Sequence, residues 1–361
     1  MNILRPPSTW INGRCYRIIS PLSSQVTTGY MEDDAYGFED STYQDEVECG
    51  GELPEIQVEV LKNGKFQTSF PVPNTYFSYI IGAKGATKKR IESETYTNIH
   101  IPGKGQAGDI VVVGKDMKTV RQARMKIELL VDQARKKQPF THFLSIPFNK
   151  PSIQEKFLEF KKEVLEKCGG SRGVDESIFQ DPNKLHLTLC VMVLADDRER
   201  HQAVDTLNTC PENVLRRLLA GEKLRLEMKG IEYMNDDPGE VDVLYGQVNA
   251  LSWSHSLQAI ADSLVDEFVK AGIVTKQHER VKLHITLMNT IFRRDADGVT
   301  DAKAGRDRET FSARQILEEF QDYYFGEMEV EEIHLSVRYT TANNGFYSAS
   351  GKIKVLPESE G

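Results

Sequence analysis

Apolar and polar positions alternate along two short phrases, Lys184-Leu185-His186-Leu187-Thr188-Leu189 and Lys282-Leu283-His284-Ile285-Thr286-Leu287. A period of two is the pattern of a strand with one face in a core. Each phrase therefore sets a His and a Thr side by side on one face and turns its aliphatic residues to the other. The pattern around them predicts strands over 141–148, 184–193 and 223–234, alternating with helices over 152–167 and 196–219. The order then restarts, with strands over 241–248 and 281–291, helices over 254–271 and 311–323, and closing strands over 328–339 and 346–355. A β-α-β-α-β unit occurs twice, with a His-x-Thr in the middle strand each time. Such a repeat predicts two similar lobes, each with one motif, and a cleft between them.

Upstream, the period changes more quickly. Residues 65–70 alternate as a strand, 74–81 form a short helix opening near Asn74, and Gly82-Ala83-Lys84-Gly85 breaks the chain before helical spacing resumes over 86–95. Strands follow over 98–102 and 109–114, then a long amphipathic helix over 117–136. The order is βααββα. That helix runs into Gln138-Pro139-Phe140 without a Gly- or Ser-rich linker, so a stiff junction and one nucleic-acid path along both units are expected.

Most of the first 58 residues show no periodicity. Glu32 to Glu48 holds eight carboxylates and no Lys or Arg, too little apolar surface to offset the entropy of ordering, and is expected to be disordered. Thr9 to Arg17 differs, with two apolar runs flanking Asn12-Gly13, the turn signal of a hairpin. It is either a docking motif for a partner or a strand packed on the chain's own domains. The organisation is thus an acidic segment over 1–58, a basic unit over 60–138 and a duplicated domain over 139–361, an α+β protein throughout.

Charge sharpens this division. The net charge of -9 is spread unevenly: residues 1–59 carry 3 basic and 11 acidic side chains, residues 60–138 carry 15 basic and 6 acidic. A basic unit inside an acidic chain points to a polyanion partner. No apolar run approaches the length of a membrane span, and the first residues lack a signal-peptide core, so no membrane association is expected. Five cysteines without a C-x-x-C pair suit a reducing compartment, cytosol or nucleus, and are read as structural thiols.

The chemistry of the basic unit centres on Ile81, Gly82, Ala83, Lys84 and Gly85, with Lys88, Lys89 and Arg90 on the next helix. Two glycines three apart let the backbone approach a phosphodiester, and the following helix offers free N–H groups. With Ile91 and Thr95 behind it, this stretch resembles the KH domain, whose GXXG loop clamps single-stranded nucleic acid. Lys88 stands where many KH domains have an aliphatic residue, and is expected to be exposed there. A KH-like fold used only for packing is the competing reading.

Two imidazoles facing each other across a cleft can take a proton from a nucleophile and give one to a leaving oxygen. The Thr188 and Thr286 hydroxyls would then donate to nonbridging phosphate oxygens. Zinc would need a third ligand, and no H-E-x-x-H or Cys/His cluster is present, so no metal or cofactor is expected. The paired motifs resemble the two-histidine phosphoesterases, the superfamily of 2′-5′ RNA ligase-like enzymes, and within it the A-kinase-anchor-protein nuclear-localisation-signal branch. The resemblance implies His186, Thr188, His284 and Thr286 as the catalytic set, acting on RNA. Together with the KH unit it implies a nuclear protein of transcriptional coactivation and alkylation-damage repair, partnered by single-stranded RNA, a helicase and other complex subunits. A non-catalytic adaptor whose cleft only holds a phosphate is the alternative. His142, His201, His255, His278 and His334, lacking a Thr two residues on, are read as structural or surface groups, Asn235 to Gly239 as a turn rather than a metal loop, and 293–310 as a surface loop or lid.

Overall fold

The computed structural model describes residues 8–11, 14–17, 56–103, 106, 108–234, 236–251, 256–275, 280–293 and 309–355. The acidic stretch 32–48, His255, His278 and most of the 293–310 loop lie outside these residues. Strands β1 (Ser8–Ile11) and β2 (Arg14–Arg17) pair antiparallel in a two-stranded sheet of their own, with Ile11 opposite Arg14. Two compact units meet at the Pro139–Phe140 bond, and each is described by itself.

In the first unit, β3 (Glu59–Val60), β4 (Phe66–Phe70), β5 (Thr97–His100) and β6 (Ile110–Gly114) form an antiparallel sheet in the order β3-β4-β6-β5. Helices α1 (Phe77–Ile81), α2 (Ala86–Thr95) and α3 (Met117–Lys136) cover one face. α3 starts where the Asp116 side chain accepts from Lys118 N, buries Val120, Ala123, Ile127 and Ala134 at helical spacing, and ends on Arg135 and Lys136, which suit the negative end of its dipole. The sequence pattern misses β3, whose two residues are both exposed and carry no alternation to detect. The residues before α1 form a 3-10 turn over Asn74–Tyr76, and Asn74 caps nothing.

The second unit is built on one eight-stranded antiparallel sheet. Its strands are β7 (His142–Pro147), β8 (His186–Met192), β9 (Arg225–Tyr233), β10 (Val243–Ala250), β11 (Ile285–Asn289), β12 (Tyr324–Glu329), β13 (Glu332–Val337) and β14 (Ala349–Lys354). Helices α4 (Pro151–Cys168), α5 (Asp197–Cys210), α6 (Arg216–Leu219), α7 (Leu257–Lys270) and α8 (Arg314–Phe320) complete it. The spatial order is β12-β9-β10-β11-β8-β7-β13-β14. At its centre β11 and β8 share one paired position, Ile285 with Leu187. Beyond it, Gln180 N rather than β8 donates to Leu287 O. The sheet thus consists of two four-stranded halves joined at a narrow seam, one holding β8 and the other β11.

This corrects the expectation that each lobe is one consecutive repeat. β9, from the first repeat, pairs with β10 and β12, while β13 from the end of the chain pairs with β7. The single strand expected over 328–339 is two strands, broken at Val330-Glu331 and serving opposite ends of the sheet. The long helix expected over 311–323 shrinks to α8, because Phe311 instead bridges to Val241.

Behind the sheet lies an aromatic core in which Phe160 and Phe325 are fully buried and Tyr323 is half-buried. Phe160 of α4 meets Phe320, Tyr323 and Phe325 at centroid distances of 5.4, 5.2 and 5.2 Å. Phe160→Ala is expected to destabilise the unit by about 3–5 kcal/mol, read as a shift in denaturant midpoint at unchanged m-value. A loss below about 1 kcal/mol would show that this cluster collapses around the void.

Candidate active site and nucleic-acid interface

The seam brings the two repeated phrases together. Leu187 and Ile285 pair and are fully buried on the core face. Strand parity then sets His186, Thr188, His284 and Thr286 on the opposite face, all four half-buried. An antiparallel register centred on that pair places Thr286 across from His186 and His284 across from Thr188. Each imidazole therefore neighbours the hydroxyl of the other phrase, with approximate two-fold symmetry. Among the described residues neither threonine hydroxyl makes a hydrogen bond.

Each imidazole is held by the same device. His186 Nδ1 lies 2.7 Å from Lys184 O, and His284 Nδ1 lies 2.8 Å from Lys282 O. A carbonyl can only accept, so Nδ1 carries the proton and Nε2 presents its lone pair. The turn ahead of each histidine is pinned by a glutamine of the preceding helix. Gln154 of α4 donates to Pro182 O at 3.3 Å, and Gln258 of α7 donates to Val281 O at 2.9 Å. Asp262 of α7 also accepts from Val281 N at 2.8 Å. His186 opens β8, whereas His284 lies one residue before β11, so the strands expected over 184–193 and 281–291 are shorter than the phrases that announced them.

Two tyrosines complete the symmetry. The Tyr347 ring stands edge-on to His186 at 5.4 Å with Lys184 Nζ over it at 5.1 Å; the Tyr245 ring stands edge-on to His284 at 5.5 Å with Lys282 Nζ over it at 5.0 Å. Tyr245 pairs with Thr286 across β10 and β11, and its hydroxyl donates to Glu232 Oε2 at 2.7 Å. Neither tyrosine nor the role of the two lysines was evident from sequence. The Lys two residues before each His was the one repeated signal that could have drawn notice.

Burial drives both histidines below their ordinary range. His186 is lowered to about 4, mainly by desolvation and partly by the neighbouring His284, against the hydrogen bond to Lys184. His284 is lowered by desolvation and by the Lys282 charge. The unfolded chain, with histidines near about 6.5, takes up protons first as pH falls. Stability present above that value is therefore lost progressively toward pH 4. The melting temperature at pH 5 is expected to lie below that at pH 7, and His186→Gln should narrow the gap. His142 and His334, also lowered by burial, leave a residual drop, so an unchanged gap in His186→Gln would remove His186 from the account.

The other histidines and the cysteines divide as follows. His142 is buried between Thr141 and Ser350, and His334 against Glu332. His201 and His100 are exposed, the latter on edge strand β5. Burial raises the Cys190 and Cys210 thiols to about 12, which disfavours the nucleophilic thiolate. Asp237 Oδ1 accepts from Gly239 N at 2.7 Å, the bond of a turn. Among the described residues no three His, Cys, Asp or Glu side chains converge as metal ligands, and no helix is long and apolar enough to cross a membrane.

In the first unit, α1 ends at Ile81, 38% exposed, while Ile80 is fully buried. Three of the next four residues have positive φ: Gly82 at 69°, Lys84 at 52° and Gly85 at 80°. Through these residues the chain leaves α1 and enters α2, with Gly85 as an N-cap lacking a side-chain bond and the first backbone N–H groups of α2 free of side-chain caps. Ala83, Lys84, Lys89 and Arg90 are exposed around this point. Lys88 departs from expectation. It is half-buried and its Nζ lies 3.6 Å from Glu92 Oε1, which also accepts from Ile99 N at 2.8 Å. A phosphate would have to compete with that carboxylate for it.

Residues 140–355 match the family described as the AKAP7 2'5' RNA ligase-like domain, and residues 67–129 match the KH domain. Activating signal cointegrator 1 complex subunit 1 of Mus musculus is 40% identical over 361 residues, which cover 98% of this chain and 99% of that one. Among solved structures, a protein of Thermus thermophilus is 17% identical over 61% of this chain and 100% of its own, with a TM-score of 0.38. LigT of E. coli, solved with NADP+, is 15% identical over 61% of this chain and 99% of its own, with a TM-score of 0.34.

Proposed function

We propose, from the premise that this chain belongs to the activating signal cointegrator 1 complex subunit 1 family and carries a KH domain and an AKAP7 2'5' RNA ligase-like domain, that it binds single-stranded RNA and hydrolyses a phosphodiester of it at the His186–His284 cleft. The observation that carries the reading is the pair of Nδ1–carbonyl bonds, which fix both imidazoles in one tautomer with Nε2 available for proton transfer. His186, the more strongly depressed of the two, is neutral at pH 7 and takes the proton from the nucleophile. His284 acts as the acid, its imidazolium favoured once the phosphate brings negative charge beside it. Thr188 and Thr286 donate to the nonbridging oxygens. The substrate is an RNA terminus or a 2′,3′-cyclic phosphate, and no metal ion takes part in the step.

The 40% identity with the mouse relative over 98% of this chain supports a place as a subunit of a complex; a helicase and other subunits as partners, a nuclear site, and work in transcriptional coactivation and alkylation-damage repair belong to the same proposal. Labelled single-stranded RNA incubated with the protein in EDTA tests the chemistry: cleavage should persist under chelation and vanish in the His186→Ala/His284→Ala double variant. Equal cleavage by wild type and double variant would overturn it. RNA binding without cleavage would leave the adaptor reading, in which the cleft only holds a phosphate end.

A further inference from the structure

We propose that Tyr339, Arg338 and Phe140 form a base-stacking platform continuing the His186 side of the cleft, occupied by the bases of a single-stranded RNA whose phosphate the four motif residues hold. The proposal rests on the RNA reading of that cleft. Phe143 of β7 is buried, and its ring centroid lies 5.0 Å from that of His186. It reaches that far past Ser145, a small residue paired with Thr188. Tyr347 and Phe140 both stand edge-on to Phe143, at 5.0 Å and 6.3 Å with interplanar angles of 90° and 86°. The Arg338 guanidinium carbon then lies 3.9 Å from the Phe140 centroid and 4.4 Å from the Tyr339 centroid. Rings and a planar cation thus follow one another without interruption from His186 to Tyr339.

Packing does not account for the far end of this series. Tyr339 is 78% exposed, so its ring gains little from burial. Its backbone has φ 60°, a conformation an aromatic residue rarely adopts. The turn is nonetheless pinned on both sides. Arg338 N donates to Thr141 O at 2.9 Å, Thr340 Oγ1 donates to Val337 O at 2.6 Å, and Ser348 N donates to Thr340 Oγ1 at 3.1 Å. A ring held outward beside a stacked guanidinium offers a flat face to a base and a positive charge to its phosphate, the combination that holds single strands without reading their sequence.

The test uses the full chain carrying Gly85→Asp, which weakens the KH contribution, with fluorescent uridine dinucleotide and octanucleotide as probes. Adding Tyr339→Ala is expected to lower octanucleotide affinity on the order of ten-fold and leave the dinucleotide unchanged, and Tyr339→Phe should retain the octanucleotide. Equal octanucleotide affinity with and without Tyr339→Ala, with dinucleotide binding still lost in His186→Ala, would overturn the platform and spare the cleft. Binding of neither probe, or binding indifferent to His186→Ala, would overturn the RNA reading of the cleft and the platform with it. An unchanged melting temperature in Tyr339→Ala excludes misfolding as the cause of a loss.

Discussion

Alanine at His186 or at His284 is expected to lower RNA cleavage on the order of 10²–10⁴-fold in the presence of EDTA. In the proposed step each histidine moves a proton that the other cannot, so either single loss should cost nearly as much as the double, as for residues acting as a unit. The two single variants should differ in their pH response. With His186 gone, the acidic limb set by its low value disappears. Replacing Thr188 or Thr286 by Val removes a donor and not a proton carrier, and the loss should be smaller. Initial rates on one labelled RNA across pH 4–9 decide this. A single variant with full activity would show that its histidine is a bystander, and the two-fold arrangement would then be inherited architecture without chemistry.

The second large effect concerns the loop after α1. Aspartate at Gly82 and Gly85 adds two negative charges where a phosphodiester would lie, and RNA affinity is expected to fall ten-fold or more, by about 1.4 kcal/mol per factor of ten. The two positions are not equivalent. A Cβ at Gly82 would overlap Thr87 Oγ1 and lie 2.9 Å from Thr87 N, so this substitution must displace the start of α2. A Cβ at Gly85 meets nothing within 4 Å, and its φ of 80° is the one local cost. Gly85→Asp is therefore the cleaner probe. It should lose affinity while keeping most of its melting temperature, and the remaining affinity should show a shallower salt dependence. Undiminished binding by Gly85→Asp would mean that RNA, if bound, enters elsewhere.

What the sequence disclosed depended on how local each feature is. Helices α2 and α3 begin and end where periodicity places them, because one turn of neighbours decides a helix. That His186, Thr188, His284 and Thr286 leave the face opposite the core was legible for a similar reason, since parity within a strand is local and the phrase was written twice. Strand partnership is not local. Nothing in Arg225–Tyr233 marks it for the half that holds His284, and the alternation over 328–339 runs through Val330-Glu331 although the chain there leaves one end of the sheet for the other. Tyr245 and Tyr347 stayed hidden because ordinary strand and loop positions carry them, and only folding stands each edge-on to a motif histidine. Lys88 looked available until Glu92, one turn on, claimed it.

The exchange of strands between the two halves has a consequence for synthesis. When a ribosome has delivered β7 and β8, the half around His186 lacks β13 and β14, which lie more than a hundred residues downstream. Until they arrive β7 presents an open, apolar edge, the kind of nascent surface that chaperones cover and that aggregates otherwise. The half around His284 closes earlier, with β12. A premature stop between the two, at Val330, would therefore leave the second motif in a finished half and strand the first, although the first is the one encoded upstream.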